Sequence, residues 1–276
     1  MIELPEAVTI AGQMRDVFVG KRIAGVAIAE ERPKFMFLNE DLNDYENRLV
    51  GQEIREIVAN GKWIFSTLAS GQVFLLGEMF GRLRYLAPEE PLPKKVHGAV
   101  TFEGGARLVA TIQAWGGFLV LTPEELAVHP YAGKQGVSPL DPAFTPNRLD
   151  NVLDARDDWS RKPIKAFLVH EGNVAGIGNG TLQDILFRAK LSPKRKVPKL
   201  DRADRDRLHA AIVETMNSAI AAGGRDTEKD LYGNPGGYTP LLDRRTAGDP
   251  CPDCGTPIER IQYLGGSCYV CPGCQS

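Results

Sequence analysis

Apolar positions change period along this chain, and the changes mark its elements. Val8, Ala11 and Phe18 give a loose apolar face between Pro5, which suits a first helical position, and Gly20, which ends the run, so the spacing predicts a helix over residues 5–19. Over residues 22–121 short β runs broken by turn residues take over: "RIAGVAIA", "WIFSTLASGQVFLL", "GAVTFEGGARLVATI" and "GGFLVLT", with "ASGQ" and "EGGA" as hairpin turns. This half reads as a β-sandwich or flattened barrel flanked by the N-terminal helix. Four prolines in "HPYAGKQGVSPLDPAFTPNRL" then suggest an interdomain connection, after which helical spacing returns.

The helical half holds three candidate helices. "KPIKAFLVHEG" runs from Pro163 to a stop at Gly172, and residues 201–222 carry Leu208, Ile212, Met216 and Ile220 on one face before Gly223 and Gly224. Between them, "VAGIGNGTLQDILF" places Gly176, Gly178 and Gly180 just ahead of the stripe Leu182, Ile185, Leu186 and Ala189. Thr181 and Asp184 have the spacing of a capping box. A glycine-rich loop entering a helix N-terminus suits an anion, because unpaired N–H groups and the positive dipole end point at it. A plain turn between two packed helices is the alternative.

At 276 residues, 43% hydrophobic and 25% charged, the composition is that of an ordinary globular protein of about two domains. No run of apolar residues is long enough for a membrane span, and the first residues lack a signal-peptide pattern, so a cytoplasmic location is expected. The net charge of −2 is unevenly spread. Residues 161–200 hold nine Lys/Arg against Glu171 and Asp184, a local +7 that leaves −9 for the rest. That zone is either a phosphate-binding surface or a solvated helix face.

Near the end of the chain Cys251-x2-Cys254 and Cys271-x2-Cys274 stand sixteen residues apart, each pair beside Pro or Gly. Two such knuckles joined by a hairpin fit one tetrahedral zinc ion with four thiolate ligands, a closed and therefore structural site. Disulfides compete as a reading, but nothing indicates an oxidising compartment. Cys268 is left over as a small buried side chain. His97, His129, His170 and His209 are scattered and fit packing or surface display; His97 follows "PKKV", where a phosphate contact is conceivable.

Together these pieces resemble the formamidopyrimidine-DNA glycosylase / endonuclease VIII family along the whole chain. "MIELPE" resembles the family's Met-Pro-Glu-Leu-Pro-Glu opening, "IKAFLVHEGNVAGIGNGTLQDILFRAKLSPKR" its helix–two-turn–helix signature, and the four-cysteine finger trailing into "CPGCQ" its C-terminus. The resemblance implies an α+β multidomain fold: a β-sandwich over residues 1–128, a linker over 129–150, a helix–two-turn–helix domain over 151–246 and a zinc finger over 247–276. It implies that Asn179, with amides such as that of Gly178 and with nearby Lys165, grips a backbone phosphate of double-stranded DNA. The family attacks the deoxyribose with the α-amine of an N-terminal proline exposed by removal of Met1; Ile2 stands there instead, and Met1 is expected to remain. Glu3 resembles the family's acid/base glutamate. Lys62 resembles a cleft lysine able to hold phosphate or act as the amine, and Met79 lines up with the methionine that wedges into the base stack.

Two further positions depart from the family. "TIQAWGG" replaces the loop that carries an arginine and an aromatic, leaving Trp115 as a substitute wedge, and Gly266 stands where the finger has a phosphate-binding arginine. The expected function is that of a monomeric, nucleoid-associated glycosylase and abasic-site lyase of base excision repair. A catalytically inactive binder of damaged DNA or structured RNA is the alternative, and a zinc-ribbon adaptor for other proteins a third reading.

Overall fold

Helix α1 (Leu4–Phe18) begins one residue earlier than the apolar spacing predicts, because Glu3 caps it. The Glu3 carboxylate accepts from the amide three residues on, and the Glu6 carboxylate accepts from the Glu3 amide at 2.9 Å, a reciprocal capping box. Leu4, Ala7, Ile10, Ala11, Met14 and Phe18 form its buried face. Beyond the helix Gly20 turns the chain with φ +79°.

The structure is a computed structural model that describes residues 1–39, 42–155, 161–170 and 172–276. These divide into two compact units: Met1–Lys134 with Ala222–Gly237, and Gln135–Ala221 with Tyr238–Ser276. The first change of unit falls within the proline-rich stretch. The return of residues 222–237 to the first unit has no counterpart in the linear pattern.

The first unit is a sandwich. Strands β1 (Ile23–Ile28), β2 (Phe35–Phe37), β3 (Ile54–Asn60), β4 (Trp63–Leu68), β5 (Val73–Gly77), β6 (Gly81–Leu86), β7 (Gly98–Phe102), β8 (Arg107–Ile112) and β9 (Trp115–Leu121) form two sheets, with helix α2 (Leu42–Leu49) between β2 and β3 in sequence. One sheet has the order β1-β7-β8-β6 and the other β2-β9-β5-β4-β3. The β4–β5 and β7–β8 hairpins turn at "ASGQ" and "EGGA" as expected. Ile10, Met14, Phe18, Ile57, Phe74, Val100 and Phe118 belong to one core, in which the Phe18 and Phe102 rings stack with centroids 4.2 Å apart. Helix α3 (Pro123–Val128) follows behind a Thr122–Glu125 capping box.

His97 is a structural member of this unit and no phosphate contact. It is 2% exposed, and its Nδ1 accepts the Ile112 N–H at 2.8 Å. Burial, helped by the charge of Lys95, holds its pKa below the ordinary value. The unfolded chain therefore binds this proton more readily than the folded one. Stability is full above pH about 6.5 and falls as pH drops from there toward the depressed folded-state value. Denaturation midpoints at successive pH values should show this slope, and His97→Gln should flatten it.

In the second unit, helix α4 (Pro146–Asp154) and helix α6 (Arg202–Ala221) are tied by Arg205 Nη2 to Asp154 Oδ1 at 2.8 Å, and helix α5 (Asn179–Arg188) lies between them in sequence. The segment "KPIKAFLVHEG" is not one α-helix: Ala166–His170 is a π-helical turn, and Glu171 lies outside the described residues. Phe167 and Leu168 are both fully buried within that turn. Asp184 is no cap. Fully buried, it accepts from Tyr238 Oη at 2.7 Å and from the Leu241 and Leu242 amides at 3.0 Å, pinning the chain that leads to the last hairpin. Strands β10 (Glu259–Tyr263) and β11 (Gly266–Val270) form that hairpin. Among the described residues no helix is long and apolar enough to cross a membrane.

Candidate functional site

In the first unit the sequence-predicted residues converge at the start of α1. Ile2 is 4% exposed, and its nitrogen is a peptide amide donating to Met79 O at 3.0 Å, so Ile2 is a packed residue and offers no amine. The Met1 ammonium pairs with Glu228 Oε1 at 2.6 Å. Glu3, 1% exposed, accepts from Arg225 Nη1 at 3.2 Å. The same guanidinium meets Glu6 with Nε at 3.0 Å and Nη2 at 2.8 Å, and Nη2 also reaches Met1 O at 2.8 Å. Burial alone disfavours a charged Arg225, but the neighbouring Glu3 and Glu6 carboxylates outweigh it and raise its pKa further. Lys62, at the β3–β4 turn, lies 3.7 Å from Glu78 Oε1. Two amines, each beside a carboxylate, therefore stand in this unit. Sequence reasoning missed Arg225 and Glu228, and their only local signal was the Gly223-Gly224 break ahead of them.

Met79 is not a wedge. It is fully buried in the core, and its carbonyl holds the Ile2 amide. Glu78 has φ +45°, a left-handed residue that turns the chain so that Met79 points inward and Phe80 outward. Phe80 is 38% exposed and stacks on Trp115, 39% exposed, with centroids 5.3 Å apart and planes 28° apart. Backbone bonds fix the pair: the Phe80 amide donates to Trp115 O at 2.9 Å and the Gln113 amide to Phe80 O at 2.7 Å.

In the second unit Gly178 is the N-cap of α5 and Asn179 its first residue, with Gly176 at φ +83°. Lys165 is fully buried and donates from Nζ to Tyr263 O at 2.7 Å and to Cys268 Sγ at 3.4 Å. Gly266 faces both groups: a Cβ there would lie 3.1 Å from Asn179 Nδ2 and 3.5 Å from Lys165 Nζ. Gln183 adds Nε2 bonds to Asn179 O at 2.9 Å and Ser267 O at 3.2 Å. The glycine loop, the buried lysine and the hairpin thus meet at one point. Asn179 Oδ1 is buried there without a hydrogen-bond partner among the described residues. Much of the basic zone is paired: Arg188 with Glu214, Lys190 with Asp253 and Arg195 with Asp204.

Sγ atoms of Cys251, Cys254, Cys271 and Cys274 lie within 4.8 Å of one another, as ligands of one small ion must. Hydrogen bonds from the Thr256 hydroxyl and amide pull the Cys254 thiol down to about 6, whereas its sulfur neighbours and burial push Cys274 up. A dication relieves that mutual repulsion. Cys268 stays outside the cluster, fully buried.

Comparison with known proteins matches both halves of the chain. Residues 1–113 match the family model described as formamidopyrimidine-DNA glycosylase N-terminal domain, and residues 135–230 match the H2TH domain of the same family. The formamidopyrimidine-DNA glycosylase of Geobacillus kaustophilus is 32% identical over 279 residues, covering 100% of both chains. Among solved structures, the MutM (Fpg) protein of Thermus thermophilus superposes with TM-score 0.80 at 27% identity, over 99% of this chain and 98% of that one. Lactococcus lactis Fpg in complex with DNA containing N7-benzyl-Fapy-dG gives TM-score 0.83 at 25% identity, over 99% of each chain.

Proposed function

The chain belongs to the formamidopyrimidine-DNA glycosylase family, and on that premise we propose that it repairs oxidised bases in double-stranded DNA, cleaving the glycosidic bond and nicking the abasic site. The observation that carries the reading is the junction at Gly266, where Asn179 stands at a helix N-terminus beside Lys165 and the finger hairpin. Helix-end amides and an asparagine amide hold a phosphate without reading sequence. In this reading Lys165 acts from within, setting the hairpin against the loop.

The chemistry falls to an amine of the first unit. A neutral amine adds to C1′ of the ring-opened deoxyribose, and loss of water leaves an imine. The proton leaves the ammonium for the carboxylate beside it, Glu228 for the Met1 amine or Glu78 for Lys62, and returns to the departing hydroxyl. Glu3 serves as the proton-transfer group on the sugar. One zinc ion on Cys251, Cys254, Cys271 and Cys274 braces the hairpin and takes no part in the reaction. The protein works as a monomer in the cytoplasm, at the nucleoid.

Borohydride added to the protein with abasic-site duplex should trap a covalent adduct, and peptide mapping should place it at Met1 or Lys62. Asn179→Ala should weaken duplex binding about tenfold, as loss of a charge-assisted hydrogen bond does. Neither adduct nor strand cleavage would remove the enzyme, and binding without turnover would leave a non-catalytic damage binder.

A further inference from the structure

Met1 stands one residue beyond Ile2, and the segment that returns late in the chain closes over that extra residue. Residues 222–237 belong to the first unit and are fastened to α1 at two points. Gln13 takes the far one, its Nε2 donating to Asp230 Oδ2 and its Oε1 accepting from the Leu231 amide, each at 2.9 Å. The near one is a single turn, in which the Glu228 amide donates to Arg225 O at 3.0 Å. That turn lies close against α1 because Gly224 adopts φ +97°, and a Cβ there would stand 3.2 Å from Glu6 Cγ.

The turn holds Met1 at both ends. Arg225 Nη2 donates to its carbonyl at 2.8 Å, and Glu228 Oε1 accepts from its ammonium at 2.6 Å. The next amide, that of Ile2, is engaged by Met79 O. Three consecutive polar groups of the main chain are thereby fixed, and the direction of the amine with them. Arg225 is itself held: its amide, Nε and Nη2 bond Glu6, and Nη1 bonds Glu3. Ile2, Glu3 and Arg225 are buried, whereas the side chains of Met1 and Glu228 keep 15% and 21% exposure, so the amine end of this arrangement faces solvent. Lys62 is held less closely. Its Nζ stands 3.7 Å from Glu78 Oε1, past hydrogen-bond distance, on a flexible four-carbon stem.

We propose that Arg225 is the positioning residue of the reaction, fixing Met1 so that its amine, handed to Glu228 of the same turn, attacks the sugar in place of Lys62. The inference rests on the imine chemistry above and adds which amine carries it and what aims that amine. Of the three ammonium protons, one passes to the Glu228 carboxylate and frees the lone pair that bonds C1′, as the double bond from C1′ to oxygen opens. A second moves from nitrogen to that oxygen, Glu228 returns the first to it, and water leaves. The third stays on the iminium nitrogen. Such attack needs the reacting atoms in contact and aligned, and a displacement of about 1 Å costs on the order of a hundredfold. A nucleophile carried on an added residue therefore needs a brace of its own, and the Arg225–Glu228 turn supplies it.

The test uses the full chain and abasic-site duplex, with borohydride trapping, peptide mapping and single-turnover rates. The adduct should map to Met1. One glycine added ahead of Met1 carries the amine about 3.5 Å away and should lower the trapping rate about a hundredfold, whereas attack by Lys62 would be unaffected. Arg225→Gln should lower the single-turnover rate about a hundredfold while duplex affinity stays within twofold. Arg225→Lys, which restores a donor for Met1 O, should recover about tenfold of that loss. Rates are taken per folded molecule, with the folded fraction of each variant read from its urea curve. Glu228→Gln should give a rate that keeps rising with pH where that of the unmodified protein levels off, since hydroxide must take the proton the carboxylate no longer accepts. An adduct at Lys62, indifference to the added glycine, or unchanged rates per folded molecule in the Arg225 variants would overturn the proposal. No adduct at either amine would instead remove the imine reading beneath it, which is a different result.

Discussion

Arg225→Leu should destabilise the first unit by about 3–5 kcal/mol, the range for breaking a buried ion pair by removing one partner. The guanidinium is 4% exposed and joins Glu3 and Glu6, themselves 1% and 3% exposed. Leucine leaves two carboxylates facing each other away from water and strips the Met1 carbonyl of its donor. Arg225→Lys should fall between, since one ammonium cannot reproduce the fork on Glu6. Adding Glu3→Gln and Glu6→Gln to Arg225→Leu should return much of the loss, because neutral amides cost less to bury than stranded charges. Urea denaturation of the three variants beside the unmodified protein measures this. A loss under about 1 kcal/mol for Arg225→Leu would show that the cluster is more hydrated than its burial indicates.

Metal removal should have a still larger local effect. Structural zinc contributes roughly 10–16 kcal/mol of apparent binding free energy in finger peptides at neutral pH. Here the hairpin has little else. Its apolar cluster is Phe187, Leu242, Cys251, Ile258 and Cys271, so metal ligands supply two of the five buried side chains. Chelation, or Cys251→Ser, should abolish hydrogen-exchange protection of the Gly266–Val270 amides while the first unit stays protected. Because Lys165 Nζ is held by Tyr263 O, and Gln183 Nε2 bonds Ser267 O, melting the hairpin also releases the Gly266 junction. Duplex affinity should therefore fall at least tenfold in the same samples. Elemental analysis should find one zinc per chain. An intact hairpin in metal-free protein would mean that the cysteines pack without an ion.

Much of the architecture was legible in the residues. The apolar spacing and Pro5 located α1 to within a residue, the turns "ASGQ" and "EGGA" located two hairpins, and the cysteine spacing located a four-sulfur cluster. These features are encoded over a few neighbours by backbone sterics, turn chemistry and ligand geometry. Their physics is local, so the sequence states it directly.

Tertiary structure decided the remainder. Glu78 in a left-handed conformation exchanged the faces of Met79 and Phe80, and a period read along the chain carries no sign of such an inversion. Lys165 was expected to help grip a DNA phosphate and lies fully buried, because Tyr263 and Cys268, about a hundred residues downstream, fold over it. Asp184 looked like a cap and became an anchor for Leu241 and Leu242. Arg225 meets Glu6 across 219 positions. Which charge neutralises which, and which side of a strand end meets water, depends on contacts closed by the whole topology. No local pattern of residues holds that information.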